Sequence, residues 1–356
     1  MSTFLQFHLL TSYPPSNLNR DDLGQPKSAL LGGVHRIRIS SQALKRAWRT
    51  SSVFADALSG KLGVRTKRLG CGVYELMVEQ GAKDKLAEKV AKTIAGVFGK
   101  LKSDKSSDKS RLQHLEVETL VHVTQREFEA AMSLARMCAS EGREPSGDEL
   151  DLLRLDATAA DIALFGRMLA SRPDVDVDAS AQIAHAITVH RAIAENDFFT
   201  AVDDLNKGED DRGSGHMGDH EFSAGVFYLY GCVNTDLLSE NLSGDVETAR
   251  AALEALVEAA ATVAPGGMQN SFGSRAYASY CLLEQGTRQP RTLSHAFLEP
   301  VGAGDMLAGA VAALDDACAK MDGVYGPVAS DRYSFNAITG EGTLEGAKQF
   351  AAECIA

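Results

Sequence analysis

The spacing of apolar and polar side chains predicts a β-strand near the start of the chain. In FLQFHLL, residues 4–10, large apolar side chains alternate with Gln6 and His8, the pattern of a strand with one buried face. The Pro-, Gly- and Asn-rich stretch 12–33 then predicts an irregular loop. The alternation returns in RIRI, residues 36–39, and predicts a second strand.

From Ser41 onward the apolar side chains recur with the 3.6-residue period of a helix, and Leu44 and Trp48 fall on its apolar side. Either Ser40 or Ser41 is the expected N-cap, because a serine side chain accepts a hydrogen bond from the first turn. The opposite side of this helix holds one amide and three basic side chains within about 100° of arc. These are Gln42, Lys45, Arg46 and Arg49.

The rest of the chain alternates predicted helices and strands. Apolar spacing predicts helices at 81–101, 125–140, 245–264 and 304–319, and strands at 161–169, 181–192, 221–234 and 278–284. The segment 181–192 also fits a helix on apolar spacing alone. Strands and helices separated by long inserts predict an α+β protein rather than a doubly wound parallel sheet.

Charge is unevenly distributed along the 356 residues, whose formal net charge is -12. Between Arg20 and Arg68 there are eleven Lys or Arg and three acidic residues, a net charge of +8, so the remainder carries -20. A basic region on an acidic body attracts a polyanion to one face. The alternative is an ordinary solvated charged surface.

The start of the Ser40–Ser41 helix is the strongest candidate site. Unpaired N–H groups, the positive end of the helix dipole, two hydroxyls and the basic side together predict a phosphate-binding surface. Further cations flank it at Arg20, Lys27, Arg36 and Arg38. Without those flanking charges, a capped surface helix would be the simpler interpretation.

Two other segments fit contacts with a nucleic acid. The aromatic pair Phe198–Phe199 stands before a Gly-rich acidic tract, and an aromatic side chain there could stack on a base; the alternative is that both rings are core. The loop GGMQNSFGSR, 266–275, lacks the ending of a nucleotide-binding P-loop, and its Gln269, Asn270 and Ser271 fit a polar contact loop.

Enzymatic motifs are weak in this sequence. GAGD, ending at Asp305, is similar to a ribokinase-type signature, but no doubly wound core is predicted before it. Asp21 and Asp22 could act as catalytic carboxylates, although no histidine is paired with them. His216 and His220 stand near Asp219 without further metal ligands. We therefore expect no enzymatic activity, no cofactor and no bound metal.

The apolar stretches are too short to cross a bilayer, and residues 1–13 do not follow the pattern of a signal peptide. We therefore expect a cytoplasmic protein without membrane contact. Six widely spaced cysteines, without a C-x-x-C pair, are expected to be buried thiols.

Four stretches of the chain together resemble the CasC-type backbone subunit of the type I-E CRISPR Cascade complex. They are HLLTSYPPSNLNRDDLGQPKSALLGGVHRIRISSQALKRAWR, DIALFGRM, ENDFFTAVDDL and GGMQNSFGS. The resemblance covers essentially the whole chain. It implies a ferredoxin-like, RRM-related palm with a helical fingers insertion and a β-hairpin thumb. By resemblance, the palm comprises 1–58, 182–192 and 224–356, the fingers 59–181 and the thumb 193–223.

The resemblance also implies a function. Several copies would stack head to tail along one CRISPR guide RNA beside other Cascade subunits, presenting the guide for pairing with invading target DNA in antiviral defence. The positions that match the family's RNA-binding residues lie in the loop and helix of the basic region, in the fingers, in the thumb and in the palm loop. They are Arg20, Lys27, Ser40, Gln42, Lys45, Arg46, Arg49, Met168, Phe199, Thr200, Gln269, Asn270 and Ser271. Met268 stands where the family pattern has lysine.

Two alternatives stay open on the residues alone. One is an RNA-cleaving relative that uses Asp22, and the other is a sugar kinase that uses Asp305.

Overall fold

The computed structural model describes residues 2–103, 112–153, 159–169, 172–201 and 216–355. The chain divides into two compact units. The first contains Met1–Ala55, Gln182–Thr235 and Leu253–Ala356, and the second contains Asp56–Ala181 and Asp236–Ala252. The predicted fingers range, 59–181, lies within the second unit, which also takes in Asp236–Ala252 from the range 224–356.

The β-strands and α-helices of the described residues follow the chain in this order. The strands are β1 Phe4–Ser16, β2 Ser28–Leu31, β3 Val34–Ile39, β4 Val64–Thr66, β5 Val121–Val123, β6 Ala181–Ile183, β7 Ala186–Thr188, β8 Glu195–Ala201, β9 His216–Asn234, β10 Ala278–Gly286 and β11 Asp331–Asn336. The helices are α1 Ser41–Arg49, α2 Ser52–Ala57, α3 Leu69–Glu79, α4 Asp84–Phe98, α5 Gln125–Glu141, α6 Ala160–Phe165, α7 Thr235–Asn241, α8 Val246–Thr262, α9 Gln269–Phe272, α10 Met306–Tyr325 and α11 Leu344–Glu353.

The larger sheet has the strand order β11-β10-β1-β9-β7-β3-β2, and β6 and β8 also pair with β9. The pairs with a described register are antiparallel, and β1 lies between β10 and β9, with Phe7 opposite Leu283 and Gly231. β4 and β5 form a separate two-stranded sheet in the second unit. The structure thus confirms a mixed α and β fold built on an antiparallel sheet.

Both faces of β1 are buried, so the strand does not have the solvent-facing side that its alternation predicts. His8 is fully buried, and burial lowers its pKa, which leaves the ring neutral. Tyr228 Oη accepts the N–H of Leu293 at 3.0 Å, so its proton is available for His8 Nδ1 at 2.8 Å. His8 Nε2 then carries the hydrogen that it donates to Glu284 at 3.1 Å.

Each unit has an apolar core of its own. In the first unit, Leu10, Leu282 and Phe297 pack with Leu314 of α10. In the second unit the core comes from α3, α4 and α5, with Ile94 and other apolar side chains of α4 fully buried. The six cysteines are free and buried, as expected. Among the helices of the described residues, none has the length and apolar character needed to cross a membrane.

Most predicted elements are confirmed, and two are wrong. Of the predicted loop 12–33, residues 12–16 belong to β1, and 28–31 form β2 because they pair with β3. The helices predicted at 81–101, 125–140, 245–264 and 304–319 correspond to α4, α5, α8 and α10, and 181–192 contains β6 and β7. The strand predicted at 161–169 is instead α6 followed by an irregular segment. Every residue of α6 before Phe165 is buried, and a short apolar run without a polar face does not distinguish helix from strand.

Candidate nucleic-acid interface

Ser40 caps the first turn of α1, which confirms one of the two predicted caps. Its Oγ accepts a hydrogen bond from Ala43 N at 3.3 Å, and its own N–H donates to Asn19 Oδ1 at 2.9 Å. Although Ser40 is buried, capping occupies only a lone pair of the hydroxyl, which can still donate its proton.

The apolar side of α1 holds the helix in place. Leu44 and Trp48 are buried, and Trp48 Nε1 donates to the carbonyl of Val263 at 3.3 Å. Val263 directly follows α8 and begins the segment that leads to α9. The tryptophan thereby fixes α1 against the chain that carries the predicted palm loop.

The opposite side of α1 presents its polar side chains to solvent, as the spacing predicts. Gln42 and Arg46 are exposed, whereas Lys45 and Arg49 are half-buried. Burial lowers the pKa of Lys45 below its ordinary value of 10.5, because the ammonium group has lost part of its hydration. A bound anion would replace part of that hydration and favour the charged form.

The loop 17–27 lies against the start of α1 through Asn19. The Asn19 side chain binds Ser40 N, and its carbonyl accepts the N–H of Lys27 at 2.9 Å. Arg20 is exposed and Lys27 is half-buried. Asn19 therefore places both predicted cations beside the helix start, a positioning role that the sequence analysis missed.

The same loop is bound to the base of the β8–β9 hairpin. Asn17 Nδ2 donates to the carbonyls of Gly24 at 2.9 Å and Glu221 at 2.7 Å, and Gln25 Nε2 donates to Glu221 Oε1 at 2.6 Å. Asn17 is 1% exposed, so its two bonds are largely shielded from water, whereas the bond from Gln25 is exposed. The Asn-rich sequence SNLN was the available signal, because Asn often bonds to nearby backbone in turns.

The segment before α9 packs on this loop as well. At Gly267 a Cβ would collide with the carbonyl groups of Asn17 and Leu18, so only glycine fits there. In α9, the Phe272 ring lies 5.8 Å from the Phe222 ring of β9. The structure thus brings the loop 17–27, the start of α1, the base of the hairpin and α9 together.

α9 presents the predicted palm-loop residues. Asn270 and Ser271 are exposed, whereas Gln269 is half-buried and donates from Nε2 to Ser274 Oγ at 3.0 Å. Met268, which replaces the family's lysine, is the N-cap of α9 and has a left-handed φ of 49°. Any phosphate contact made by α9 itself therefore depends on polar, uncharged groups.

Fourteen cations of the first unit lie within the described residues, and twelve of them fall into two groups, while Lys45 and Arg49 have interactions of their own. Seven bind a carboxylate, a carbonyl or an imidazole: Arg36, Arg38, Arg288, Arg291, Lys320, Arg332 and Lys348. Within the described residues, no hydrogen bond or ion pair is made by the side chains of Arg20, Lys27, Arg46, Arg191 and Arg275. Three of these five, Arg20, Lys27 and Arg46, are predicted RNA contacts, and they lie on α1 and its flanking loop, where their charges are available to an anion.

β8 and β9 form the hairpin predicted as the thumb, 193–223, of which residues 202–215 lie outside the described residues. Phe198 and Phe199 point to opposite faces of it, because adjacent strand residues alternate. The Phe199 ring stacks on His220 with centroids 4.6 Å apart, and Phe198 is 66% exposed. The alternative that both rings are core is wrong, and Thr200 is exposed on the face of Phe198.

Met168 belongs to the second unit and is 80% exposed. Its neighbours hold it rigidly: Arg167 exchanges two backbone hydrogen bonds with Val177, both at 2.9 Å, and Leu169 N donates to Asp176 Oδ1 at 2.6 Å. An exposed apolar side chain on fixed backbone suits the wedge-like role that the resemblance implies.

Of the three candidate catalytic carboxylates, Asp21 and Asp305 have structural partners, whereas Asp22 is exposed. Asp21 Oδ1 accepts the N–H groups of Leu23 and Gln25 and so closes a turn. Asp305 caps α10 by accepting the N–H of Ala308 at 3.0 Å. Among the side chains that the structure describes, no three His, Cys, Asp or Glu groups lie together as metal ligands would.

We compared the chain with protein-family models, curated proteins and solved structures. A family described as CT1975-like protein matches residues 5–353. A chain of a "CRISPR RNA-guided surveillance complex, pre-nicking" is 30% identical, with a TM-score of 0.83 over 99% of this chain and 100% of that chain. A chain of a "CRISPR RNA-guided surveillance complex" is 26% identical, with a TM-score of 0.72 over 96% and 93%. No curated protein matches the chain.

Proposed function

Because this chain belongs to the CT1975-like protein family, we propose that it is the guide-RNA-binding backbone subunit of a type I-E CRISPR surveillance complex, Cascade. Its partners are the CRISPR guide RNA, further copies of itself, the other Cascade subunits and the target DNA. The observation that carries the proposal is that Arg20, Lys27 and Arg46, whose side chains make no hydrogen bond or ion pair within the described residues, lie around the capped start of α1.

Binding occurs through the phosphates of the guide. The N–H groups at the start of α1, the hydroxyl of Ser40 and the cations Lys45 and Arg49 are all donors to anions. None of them requires a particular base, so guides of any sequence bind, and their base edges stay free to pair with target DNA. The exposed Met168 and the hairpin residues Phe199 and Thr200 separate or displace bases at intervals.

Assembly follows from the asymmetry of these parts. A hairpin on one copy that crosses RNA held by the α1 surface of the next copy makes a heterologous contact, which repeats as a helical filament when its rotation does not close. The loop 17–27 couples the two surfaces, because Asn17 and Gln25 bind Glu221 at the hairpin base. RNA bound at α1 therefore also fixes the direction of the hairpin.

The chain acts without cofactor, metal or catalysis of its own. Asp21 closes its turn and Asp305 caps α10. Asp22, the residue of the RNA-cleaving alternative, is an exposed residue of the same turn, so neither alternative activity gains a specific supporting feature.

The first test uses the nucleic acid that accompanies the protein from its host. We expect RNA of one defined length, which stays intact when the complex is incubated with Mg²⁺. Affinity for this RNA should fall with salt at a slope of about -0.7 per neutralised phosphate. Recovery of RNA of random length, or Mg²⁺-dependent cleavage that Asp22→Ala abolishes, would contradict the proposal.

A second prediction concerns pH and Lys45. Because the pKa of Lys45 is lowered, its charge is lost at a lower pH than that of an ordinary lysine, whose pKa is about 10.4. Phosphate binding favours the charged form, so RNA affinity of the wild type falls as pH rises into the alkaline range. Lys45→Arg should lose less affinity over that range than the wild type, because arginine stays protonated.

The measurement is a fluorescence-anisotropy titration with 2′-O-methyl RNA, which resists alkaline hydrolysis, at several pH values. Lys320→Arg on α10 is the matched control, since Lys320 lies on an exposed helix face and pairs only with Asp316. Parallel pH profiles for wild type and Lys45→Arg would refute a role for the Lys45 charge.

A further inference from the structure

The segment that joins α9 to β10 carries a feature that the proposed function does not use. Ser274 is fully buried and is tied to Gln269 Nε2 at 3.0 Å, and Ala278 is buried as β10 begins. Between them, burial alternates as in an extended chain. As a result Arg275 and Tyr277 both face solvent, and Tyr277 is 72% exposed.

In the part of the chain that the structure describes, neither side chain makes a hydrogen bond or ion pair that explains its position. Arg275 is one of the cations without a hydrogen bond or ion pair among the described residues. By contrast, the exposed Arg288 donates to the carbonyl of Tyr325 at 2.6 Å. A phenol ring that is mostly in water contributes little to the core, so packing does not account for Tyr277.

The position of the pair relates it to the proposed RNA path. Arg275 and Tyr277 lie four and six residues after Ser271, which is exposed on α9 together with Asn270. α9 itself lies beside the loop 17–27 and the hairpin base, because Phe272 packs on Phe222. Two residues apart on one face of an extended chain, the two side chains lie about 7 Å from each other, close enough to contact one nucleotide and its neighbour.

We propose that Arg275 and Tyr277 form an additional single-strand contact, in which Tyr277 stacks on a nucleobase and Arg275 neutralises an adjacent phosphate. The inference rests on the proposed function and adds a base contact to a surface that otherwise binds phosphates. Every base has a π face, so the contact tolerates any guide sequence. It also limits how far that nucleotide can rotate away from the protein.

The test is photo-crosslinking of the full chain, assembled on RNA that contains 5-iodouridine, followed by mass spectrometry. We expect Tyr277 among the crosslinked residues. Tyr277→Ala should weaken RNA binding about tenfold without changing the salt slope, and Tyr277→Phe should bind as wild type does, because stacking needs only the ring. Arg275→Ala should reduce the salt slope by about 0.7.

Tyr325→Ala is the matched control, because Tyr325 is also an exposed tyrosine of the first unit, 66% exposed, at the end of α10. It should leave RNA binding unchanged. If wild type and Tyr277→Ala bound RNA equally well and no crosslink formed at Tyr277, this inference would be wrong, but the proposed function would stand. Loss of self-assembly by Tyr277→Ala at unchanged RNA affinity would overturn it too, in favour of a protein contact. Wild-type protein that binds no RNA would instead refute the proposed function.

Discussion

Replacing Glu284 with glutamine is expected to destabilise the first unit by about 3–5 kcal/mol, the usual cost of breaking a buried ion pair. Glu284 is completely buried in β10. It accepts hydrogen bonds from His8, Arg291 and Arg332. A glutamine side chain would direct its NH₂ group at one of these donors and leave two guanidinium groups with only Asp322 as a carboxylate partner.

The same substitution should change how stability depends on pH. Burial tends to raise the pKa of Glu284, but the hydrogen bonds from His8 and Arg291 outweigh burial and hold the pKa below its ordinary range. As pH falls below about 4.3, the ordinary value for glutamate, the unfolded chain therefore takes up a proton that the folded chain does not. Wild-type stability falls over this acidic range, and the glutamine variant should lack this contribution.

Urea unfolding provides the measurement, with Trp48 as the reporter. Trp48 is the only tryptophan of the chain and is fully buried in the same unit as Glu284. Glu345→Gln is the control, because Glu345 is 83% exposed in its pair with Lys348 and should change stability by less than about 0.5 kcal/mol. If the two variants unfolded at the same urea concentration, the buried network would not be stabilising.

The sequence predicted well those structural features that depend only on neighbouring residues. The cap at Ser40, the buried Trp48 and the polar side of α1 all follow from a nine-residue helix and its cap. The helical period alone fixes which side chains share a face. For that reason the basic surface could be found before its surroundings were known.

The sequence could not predict what depends on distant residues. Gln6 and His8 alternate with apolar side chains as if they faced water, yet His8 bonds to Glu284, 276 positions away. In α6, Asp161 accepts the N–H of Gly63 at 2.8 Å. No local sequence pattern predicts this tertiary contact. A polar residue that is buried with polar partners gives the same local sequence pattern as an exposed polar residue, so only the tertiary structure distinguishes the two.

The candidate site likewise combines features that local sequence predicts with features that depend on distant residues. Local patterns identified its cations, but Asn17, Asn19 and Glu221 position the loop 17–27 through bonds to residues up to 204 positions apart. The hairpin also gives Phe198 and Phe199 different roles, because only Phe199 stacks on His220. Residue types suggested what could bind, whereas the tertiary structure decided which groups stand together.

The charge reversal Lys45→Glu with Arg49→Glu is expected to abolish RNA-dependent assembly. A hydrogen bond to a charged group contributes about 1.5–3 kcal/mol, so losing two of them weakens RNA binding by about a hundredfold or more per copy. The two new carboxylates add repulsion from the phosphates. Because each copy in a filament holds the same strand, the loss is multiplied along the RNA.

Assembly would be followed by analytical ultracentrifugation with guide-length RNA at moderate salt. Lys85→Glu with Lys89→Glu is the matched control, since it makes the same charge change at the same four-residue spacing on the exposed face of α4. Both double variants should keep the far-ultraviolet circular dichroism of the wild type, because the replaced side chains lie outside the apolar cores.

Loss of assembly in the α1 variant alone would place the RNA on that helix. Equal assembly of both variants would show that the strand lies elsewhere, since two like charges inside a phosphate site cannot be tolerated without a measurable loss.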